Sequence, residues 1–379
     1  MVKVVQFIAG LKMGGAESLV KDYAVNLDKS KVKTKVMCLQ KFDNDFEKAV
    51  TEAGIDIAYL SDELDKHKGS GLLKKFERKL ATIHWIRKQI RDFDPDVIHY
   101  HLNISIYVLI GTMFSKYSSK RLILTVHSEP GKVWFLGDKG EKTDFRLVRY
   151  FIKCRKMTLI ALHENMKKEL SEMFGTNNIR VVNNGIDFTN YGIADSGEDI
   201  RKELGIPEDA IVVGTVGRYA PEKNQLFLVD VFNELTKRIN GDKYYLMMVG
   251  GNGPSRQEIE ETIKKNGHEG CSLLLSNRGD IPRLLKAMNI FVFPSVYEGL
   301  GIALIEAQKA GLGCVVSENV PEAAIVTNLV RRLSLDVGVE EWANEVISVL
   351  DSQDEFVSYG LEKWDMKNVC EELITIYEE

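Results

Sequence analysis

The sequence predicts an α/β protein built from two Rossmann-like domains in tandem. Short apolar runs alternate with longer helical patterns along the chain, an order typical of a parallel sheet covered by helices on both faces. The alternation begins again after about residue 185 in a chain of 379 residues, a length that suits two domains. Between the two series lies Asn183–Gly197, which is rich in Asn, Gly and Asp and is interpreted as the linker.

Five strands are predicted in each series, because each apolar run has the length of a buried strand. The first five are Val4–Ala9, Thr34–Leu39, Asp56–Leu60, Val97–His101 and Leu122–His127. The second five are Ile211–Gly217, Tyr244–Gly250, Ser272–Leu275, Ile290–Phe293 and Cys314–Ser317. We therefore expect domains of residues 1–185 and 186–364, followed by a last helix at about Lys367–Tyr377.

The composition is that of an ordinary globular protein, with 44% hydrophobic and 28% charged residues. No apolar run reaches the roughly 18 residues of a membrane span. The five cysteines are scattered without a Cys-x-x-Cys pair, which favours buried thiols in a reducing cytoplasm and gives no support to a zinc site. A net charge of −5 and the lack of a recognition-helix or base-stacking motif argue against a nucleic-acid partner.

Charge is distributed unevenly between the two halves. Residues 1–185 carry 32 Lys and Arg against 22 Asp and Glu, so the acidic excess lies in the remainder. The basic half could contact an anionic acceptor or membrane surface, or could simply have solvated helix faces, and both interpretations stay open. One basic cluster is Phe145–Met157, in which Lys and Arg interleave with apolar residues. The other is the group Lys74, Lys75, Arg78 and Lys79.

The first candidate binding motif is Gly14-Gly15, between the first strand and the first helix. Glycines let the backbone approach a ligand closely, and a helix N-terminus favours an anion. A plain tight turn is the alternative for this pair. It is not the dinucleotide fingerprint, because no Gly-x-Gly-x-x-Gly occurs in the chain.

The second motif places two cations after the strand Ile211–Gly217. Arg218 follows this strand directly, and Lys223 comes five residues later. Ligands of open α/β sheets bind at the carboxyl ends of strands, and an Arg fork beside a Lys point charge suits a diphosphate. The alternative is a pair of surface charges neutralised by Glu222.

The third motif follows the strand Ile290–Phe293 and contains two glutamates. Glu298 falls in the loop at the end of this strand, and Glu306 lies in an otherwise apolar helix, where a carboxylate needs a partner. Gly299 and Gly301 would let backbone amides at the helix N-terminus approach an anion. Acidic residues that merely suit the helix dipole would explain Glu298 but poorly explain Glu306.

Together these motifs resemble the retaining glycosyltransferases of family 4, which have the GT-B fold. The resemblance covers essentially the whole chain, and its most specific part is Tyr297–Gly311, which reads YEGLGIALIEAQKAG. It is closest to the branch that builds bacterial capsule, exopolysaccharide and related surface glycans. The family fold implies two Rossmann-like domains facing each other across a cleft. It also implies that the last helix, about residues 365–379, packs back onto an acceptor-side N-terminal domain, while the second domain binds the nucleotide-sugar.

The resemblance also implies residue roles. Arg218 and Lys223 would bind the donor diphosphate, Glu306 would hold the ribose hydroxyls, and Glu298 would contact the transferred sugar. Backbone amides of Gly299, Leu300 and Gly301 would meet the distal phosphate, and the segment at Arg278 would hold the base. Gly14 and Gly15 would approach the donor from the first domain, and His127 would touch the sugar near the reacting carbon. His101 and Asn184 are further candidates.

This reading predicts a front-face substitution in which Arg218 and Lys223 stabilise the leaving diphosphate, while His127 and Glu298 position the sugar. We expect no cofactor and no metal, since the two cations already neutralise the diphosphate. UDP is the preferred donor nucleotide, and the acceptor would be a glycan or a lipid-linked saccharide. The expected location is the cytoplasm, and contact of the N-terminal domain with the inner face of the membrane stays open.

Two other functions stay open on the same architecture. A sugar-nucleotide 2-epimerase or a phosphorylase would share the fold, although an epimerase lacks the pattern of Tyr297–Gly311 and a phosphorylase is usually much longer. An inactive subunit that only binds nucleotide is the non-enzymatic alternative. It is disfavoured because Arg218, Lys223, Glu298 and Glu306 are all present.

Overall fold

The computed structural model describes residues 1–12, 15–65, 72–101, 120–127, 130–131, 139–191, 197–238, 244–276 and 278–379. The chain divides into two compact units. The first unit comprises Met1–Asp187 together with Lys363–Glu379, and the second unit comprises Phe188–Glu362. The division falls between Asp187 and Phe188, within the segment that the sequence analysis interprets as the linker.

The first unit contains a seven-stranded parallel sheet of order β3-β2-β1-β4-β5-β6-β7. Its strands are β1 (Val2–Ile8), β2 (Val32–Cys38), β3 (Asp56–Tyr59), β4 (Val97–His101), β5 (Arg121–Thr125), β6 (Thr158–Ala161) and β7 (Ile179–Val181). Successive strands are added outward from β1 in one direction and from β4 in the other. The direction of winding therefore changes between β1 and β4, the position where such sheets bind ligands.

The helices of the first unit cover this sheet. They are α1 (Gly15–Asn26), α2 (Asp45–Glu52), α3 (Leu60–Leu64), α4 (Leu72–Phe93), α5 (Lys139–Arg155), α6 (Glu164–Phe174) and α13 (Met366–Glu378), the last of which returns from the far end of the sequence. Asp365 caps α13 by accepting a hydrogen bond from the Lys367 amide at 2.9 Å. Leu373 and Tyr377 of α13 are fully buried in one core cluster with Val4 of β1 and Tyr23 of α1.

The second unit contains a six-stranded parallel sheet of order β10-β9-β8-β11-β12-β13. Its strands are β8 (Ile211–Val216), β9 (Tyr244–Gly250), β10 (Ser272–Ser276), β11 (Ile290–Phe293), β12 (Gly313–Ser317) and β13 (Val330–Leu333). Its helices are α7 (Glu198–Leu204), α8 (Gln225–Arg238), α9 (Arg256–Lys265), α10 (Ile281–Ala287), α11 (Ile302–Lys309) and α12 (Val339–Asp351). The winding direction changes between β8 and β11.

The central strands of the second unit are apolar because both faces of the sheet are covered. All four residues of β11, which reads Ile-Phe-Val-Phe, are buried. Trp342 of α12 is fully buried on one side of the sheet, and its indole N–H donates to the Ser334 carbonyl at 3.0 Å. Burial of such a large ring is a major apolar contribution to this core.

The structure adds three strands to those predicted from the sequence: β6, β7 and β13. The strand β13 reads Val-Arg-Arg-Leu, which hides its apolar pattern, and it lies at the edge of its sheet, where charged side chains are tolerated. The helix α4 begins ten residues before the predicted helix Thr82–Phe93. Among the described helices, none combines the length and the apolar composition needed to cross a bilayer.

Candidate functional site

The carboxyl ends of β8 and β11 bring two predicted motifs together in the second unit. These two strands are neighbours in the sheet although their carboxyl ends, Val216 and Phe293, are 77 positions apart in sequence. Arg218 and Lys223 follow β8, whereas Ser295 and Glu298 follow β11. The position where the winding direction changes therefore carries both the cations and the first glutamate of the predicted motifs.

Lys223 and Glu298 form an ion pair at this position. Lys223 ends a short 3-10 turn, Pro221–Lys223, and its Nζ lies 2.6 Å from both carboxylate oxygens of Glu298. Glu298 is buried at 8% exposure, and its Oε1 also accepts a hydrogen bond from the Ser295 hydroxyl at 2.7 Å. The carboxylate is thus fixed in place and compensated by charge, as burial of an anion requires.

Arg218 has a different environment from Lys223. Its side chain is 66% exposed and pairs with Glu222 at 2.8 Å. This is the surface ion pair named above as the alternative to diphosphate binding. An exposed pair of this kind is weak, so the guanidinium can exchange Glu222 for another anion at little cost. Lys223 and Arg218 therefore offer one enclosed and one accessible positive charge after the same strand.

The helix α11 begins at the end of the loop that contains Glu298. Gly301 precedes its first residue with a φ of +91°, a left-handed conformation that residues with a Cβ rarely adopt. Gly299 is exposed, and Leu300 and Gly301 are buried. The backbone amides of these three residues lead into a helix N-terminus, which suits an anion.

Glu306 of α11 has a protein partner. Its Oε1 accepts a hydrogen bond from the Tyr191 hydroxyl at 2.6 Å. Burial raises the pKa of the Glu306 carboxyl to about 7, although the Tyr191 hydrogen bond acts in the opposite direction. A carboxyl with such a pKa in a partly enclosed position is typical of a functional group as well as of a structural one.

Arg278 lies beyond β10 and is held by acidic side chains. It donates to Asp280 at 2.6 Å and to Glu203 at 3.1 Å, and these hydrogen bonds raise the pKa of the guanidinium. The side chain is therefore fixed between its own loop and the helix α7. Its neighbour Asn277 lies outside the described residues.

In the first unit, His101 and His127 lie beside the change of winding between β1 and β4, whereas Asn184 follows β7 at the edge of the sheet. His101 ends β4 and is 3% exposed, and its Nδ1 lies 3.0 Å from Nε2 of the half-buried His127. Gly15 is exposed at the start of α1, and Gly14 lies outside the described residues. Asn184 is half-buried, and its Oδ1 accepts no hydrogen bond from the described residues.

Four residues that hold the predicted ones were not predicted from the sequence. Ser295 orients Glu298, Tyr191 orients Glu306, and Gln6 and Tyr377 belong to the hydrogen-bonded group that contains His101. Ser295 could have been noticed because it stands three residues before Glu298. The other three give no signal, since their partners are distant in sequence.

The described ranges contain no group of three or more His, Cys, Asp or Glu side chains that could hold a metal ion. A ligand at this edge of the second sheet would meet the charged groups described above. An anionic group would find Lys223, Arg218 and the amides before α11. Hydroxyl groups would find the carboxylates of Glu298 and Glu306.

Two family descriptions match the chain. Residues 13–190 match Glycosyltransferase Family 4, and residues 196–361 match Glycosyl transferases group 1. Together the two matches span nearly the whole sequence, and their border coincides with the end of the first unit's continuous segment.

Relatives of similar length support the same family. The glycosyltransferase EpsF of Bacillus subtilis is 25% identical, over 91% of this chain and 86% of EpsF. The capsular polysaccharide biosynthesis glycosyltransferase CapH of Staphylococcus aureus is 22% identical, over 100% of this chain and 99% of CapH. The UDP-Gal:alpha-D-GlcNAc-diphosphoundecaprenol alpha-1,3-galactosyltransferase of Escherichia coli is 28% identical over 57% of either chain.

A solved structure shows the same fold. The crystal structure of Anabaena Alr3699/HepE in complex with UDP and glucose has a TM-score of 0.72 and 17% identity, with 100% of both chains covered. At this identity the similarity establishes the fold and nothing finer. The chain is therefore a glycosyltransferase of the GT-B fold, whose first part belongs to Glycosyltransferase Family 4 and whose second part belongs to the Glycosyl transferases group 1.

Proposed function

We propose that the chain is a retaining glycosyltransferase that moves a hexose or N-acetylhexosamine from a UDP-sugar to a glycan or lipid-linked saccharide. The product would serve the synthesis of a cell-surface polysaccharide or glycoconjugate. The observation that carries the proposal is the pair of Lys223 and Glu298, which sits beside Arg218 where the winding of the second sheet changes. That position combines a cation for phosphate with a fixed carboxylate for sugar hydroxyls.

Each group of the second unit has a role in this proposal. Lys223 and Arg218 bind the diphosphate and stabilise the charge that develops when it leaves. The ammonium of Lys223 has three N–H donors, so it can bind Glu298 and a phosphate oxygen together. The amides of Gly299, Leu300 and Gly301 receive the distal phosphate.

The carboxylates and the loop at Arg278 would recognise the rest of the donor. Glu306 holds the ribose hydroxyls and Glu298 the hydroxyls of the transferred sugar, because carboxylates form strong charge-assisted hydrogen bonds with hydroxyl groups. The segment at Arg278 lies against the base. In the first unit, Gly14 and Gly15 approach the donor and His127 positions the sugar.

The chemistry would be a front-face substitution without a metal. The glycosidic bond to the diphosphate breaks, the acceptor hydroxyl attacks the same face, and its proton passes to a phosphate oxygen of the leaving group. The protein contributes positioning and charge stabilisation and forms no covalent bond to the sugar. We expect turnover to persist in EDTA, and the anomeric proton coupling of the product in NMR to match that of the donor.

The names of similar proteins support the donor and acceptor classes. HepE was crystallised with UDP and glucose, and the E. coli relative uses UDP-Gal and a diphosphoundecaprenol-linked acceptor according to its name. The name of CapH refers to capsular polysaccharide. On this basis UDP is preferred over GDP and ADP, and a lipid-linked saccharide is the preferred acceptor.

A calorimetric screen against UDP-, GDP- and ADP-sugars tests the proposal. A ligand at 100 times its Kd raises the free energy of unfolding by about 2.7 kcal/mol, so the true donor should stand out in a thermal-shift assay. Product analysis with and without an acceptor separates transfer from epimerisation, which needs no acceptor. The proposal would be contradicted if none of the nucleotide-sugars stabilised the protein.

The proposal includes contact with an anionic membrane at the cytoplasmic face, through the N-terminal half of α4. Leu73, Phe76 and Leu80 are 81%, 61% and 52% exposed, and their spacing places them along one side of the helix. The basic residues that interleave with this apolar stripe are Lys74, Lys75, Arg78 and Lys79. By contrast, the apolar residues Val148, Phe151 and Ile152 of α5 are buried in the core of the first unit, so α4 is the better membrane contact.

Co-sedimentation with vesicles tests this contact. We expect binding to vesicles that contain phosphatidylglycerol and none to vesicles of phosphatidylcholine alone, with weaker binding at high salt. Replacing Leu73, Phe76 and Leu80 by Ser should abolish binding, whereas the control Tyr150→Ser on the exposed side of α5 should leave it unchanged. Equal binding of the triple variant and the native chain would contradict the assignment to α4.

A further inference from the structure

Six side chains in the first unit form one continuous chain of hydrogen bonds. All six lie between β1, β4, β5 and α13, where the winding direction of the sheet changes. In order along the chain they are Thr125, His99, Tyr377, Gln6, His101 and His127. The distances between successive polar atoms run from 2.7 to 3.0 Å.

Gln6 gives this chain a direction. Its Nε2 can only donate and its Oε1 can only accept. Nε2 donates to the Tyr377 hydroxyl at 3.0 Å, and Oε1 lies 2.7 Å from Nε2 of His101. The proton of this second bond must therefore reside on His101, at Nε2.

The direction passes from His101 to His127. Burial lowers the pKa of His101 well below its usual range and that of His127 to about 4, so both rings are neutral near pH 7 and carry one proton each. Since His101 has its proton on Nε2, its Nδ1 has a lone pair and accepts from His127 Nε2 at 3.0 Å. His127 is then protonated on Nε2 and has its lone pair on Nδ1.

The other arm of the chain is ordered in the same way. The Tyr377 hydroxyl accepts from Gln6, and its own proton is donated to His99 Nδ1 at 2.7 Å. Burial lowers the pKa of His99 to about 3, so this ring is also neutral, and its Nε2 proton is donated to the Thr125 hydroxyl at 2.7 Å. The Tyr377 hydroxyl thus gives the Gln6 amide its partner and carries the same direction on to His99.

We propose that Gln6 and Tyr377 are positioning residues that fix the tautomer of His127, with the proton on Nε2 and the acceptor on Nδ1. This inference rests on the proposed function, in which His127 touches the donor sugar. A ring with its lone pair on Nδ1 binds a hydroxyl or amide N–H of the transferred sugar at that atom. It would reject a carbonyl or carboxylate oxygen there. A reversed Gln6 amide would reverse every bond in the chain and give the opposite selectivity.

Long-range proton–nitrogen NMR of the chain labelled with nitrogen-15 in its histidines tests the tautomer directly. The protein has seven histidines, and loss of one signal set in His127→Gln identifies the ring. We expect Nε2 of His127 to be protonated and Nδ1 to show the shift of a lone-pair nitrogen at pH 7.5. A proton on Nδ1 in the native chain would overturn the proposal.

Two variants separate positioning from simple packing. Gln6→Leu removes the amide that gives the hydrogen-bonded chain its direction, and Tyr377→Phe removes the hydroxyl that bonds to this amide. We therefore expect mixed tautomers of His127 in either variant. The matched control is Tyr23→Phe, because the Tyr23 ring lies tilted beside His101 with 6.3 Å between ring centroids, and its buried hydroxyl has no partner among the described residues. The control should keep the native tautomer, and a native tautomer in Gln6→Leu would overturn the proposal.

Binding measurements distinguish this inference from the proposed function. With half of the rings in the wrong tautomer, affinity for the UDP-sugar should fall by about twofold, while affinity for UDP alone stays unchanged. Failure of the native chain to bind UDP would contradict the proposed function and leave the tautomer result standing. Equal losses for UDP and UDP-sugar in Tyr377→Phe would overturn the positioning role.

Discussion

The Nζ of Lys223 lies 2.6 Å from both carboxylate oxygens of Glu298, although 75 residues separate them in sequence. The pair connects the loop after β8 with the loop after β11. Because Glu298 is buried and Lys223 is 20% exposed, each side chain compensates the charge of the other in a partly enclosed position. In the proposed function, stability and donor binding therefore depend on the same two residues.

Lys223→Ala should lower both stability and donor affinity. It leaves Glu298 buried without its cation, which should cost about 2–3 kcal/mol, less than for a fully enclosed pair because Lys223 is partly solvated. The comparison is Arg218→Ala, where loss of the exposed pair with Glu222 should cost less than about 1 kcal/mol. Urea unfolding measures the free energy of unfolding, and calorimetry with UDP measures donor affinity. Equal destabilisation by the two variants would contradict the difference in burial between the Lys223–Glu298 pair and the Arg218–Glu222 pair.

Removing both members of the pair should restore stability without restoring binding. In Lys223→Ala/Glu298→Ala no uncompensated charge remains, so part of the lost free energy of unfolding returns. UDP affinity should remain as low as in Lys223→Ala, because the phosphate ligand is still absent. A double variant as unstable as the sum of the single variants would show that the two residues do not interact.

Glu306→Gln should raise stability above neutral pH and weaken donor binding. The folded-state pKa of about 7 lies above the ordinary value of 4.5, so the protonated carboxyl stabilises the fold fully below about pH 4.5. This contribution is lost as the pH rises through 7. A neutral amide does not lose it, so the variant should gain about 1–2 kcal/mol relative to the native chain between pH 5 and pH 8.

Binding of UDP-glucose gives the matching functional measurement. Affinity of the native chain should rise as the pH increases through about 7, because the ionised carboxylate binds ribose hydroxyls more strongly. The rise should vanish in Glu306→Gln. In Tyr191→Phe its midpoint should move to higher pH, since the lost hydrogen bond no longer lowers the pKa of Glu306. A pH-independent affinity in the native chain would contradict the role of Glu306.

Two glycines of the same loop should respond differently to alanine. Gly301 has a φ of +91°, so Gly301→Ala should cost about 1–2 kcal/mol of stability through backbone strain. A Cβ at Gly299 would meet no atom within 4 Å, and Gly299→Ala should change the free energy of unfolding by less than about 0.5 kcal/mol. Thermal unfolding of the two variants checks the difference. Equal effects would mean that the loop does not need the left-handed conformation.

Thiol reactivity should report the fold of both units. Cys154 is exposed on α5, whereas Cys38, Cys314 and Cys370 are buried. Burial raises the pKa of Cys38 and Cys370 to about 12, which suppresses their thiolates. We expect Cys154 to react fastest and the half-buried Cys271 more slowly, and Cys154→Ser should remove the fastest phase. A second fast phase in that variant from a buried cysteine would contradict the packing.

The residues after strand ends were predictable, whereas their partners were not. Lys223 and Glu298 follow apolar runs that the sequence marks as strands, and parallel sheets gather such ends at one edge. Their direct pairing depends on β8 lying next to β11, which only the strand order reveals. Gln6 and Tyr377 are 371 residues apart, and their hydrogen bond leaves no local pattern in the sequence.

The strand β13 was missed for a different physical reason. Its two arginines interrupt the apolar pattern of the strand, and a strand at the edge of a sheet does not need a continuous one. In β11, which is covered on both faces, the apolar run was unmistakable and the predicted bounds agree with the structure. Prediction from sequence therefore succeeds for the continuous apolar run of β11 and fails for the charged strand β13 and for long-range polar contacts.

The return of α13 to the first unit has a consequence for biosynthesis. Residues 188–362 must be translated before Leu373 and Tyr377 can cover Val4 and Tyr23, a delay of roughly 10–35 s at ribosomal speeds. During that interval Val4 and Tyr23 lack the cover that α13 provides in the finished protein. A ribosome stalled within the second unit, after residue 187 has left the exit tunnel, should therefore expose an apolar surface that an added peptide of residues 363–379 covers, measured by loss of hydrophobic dye fluorescence.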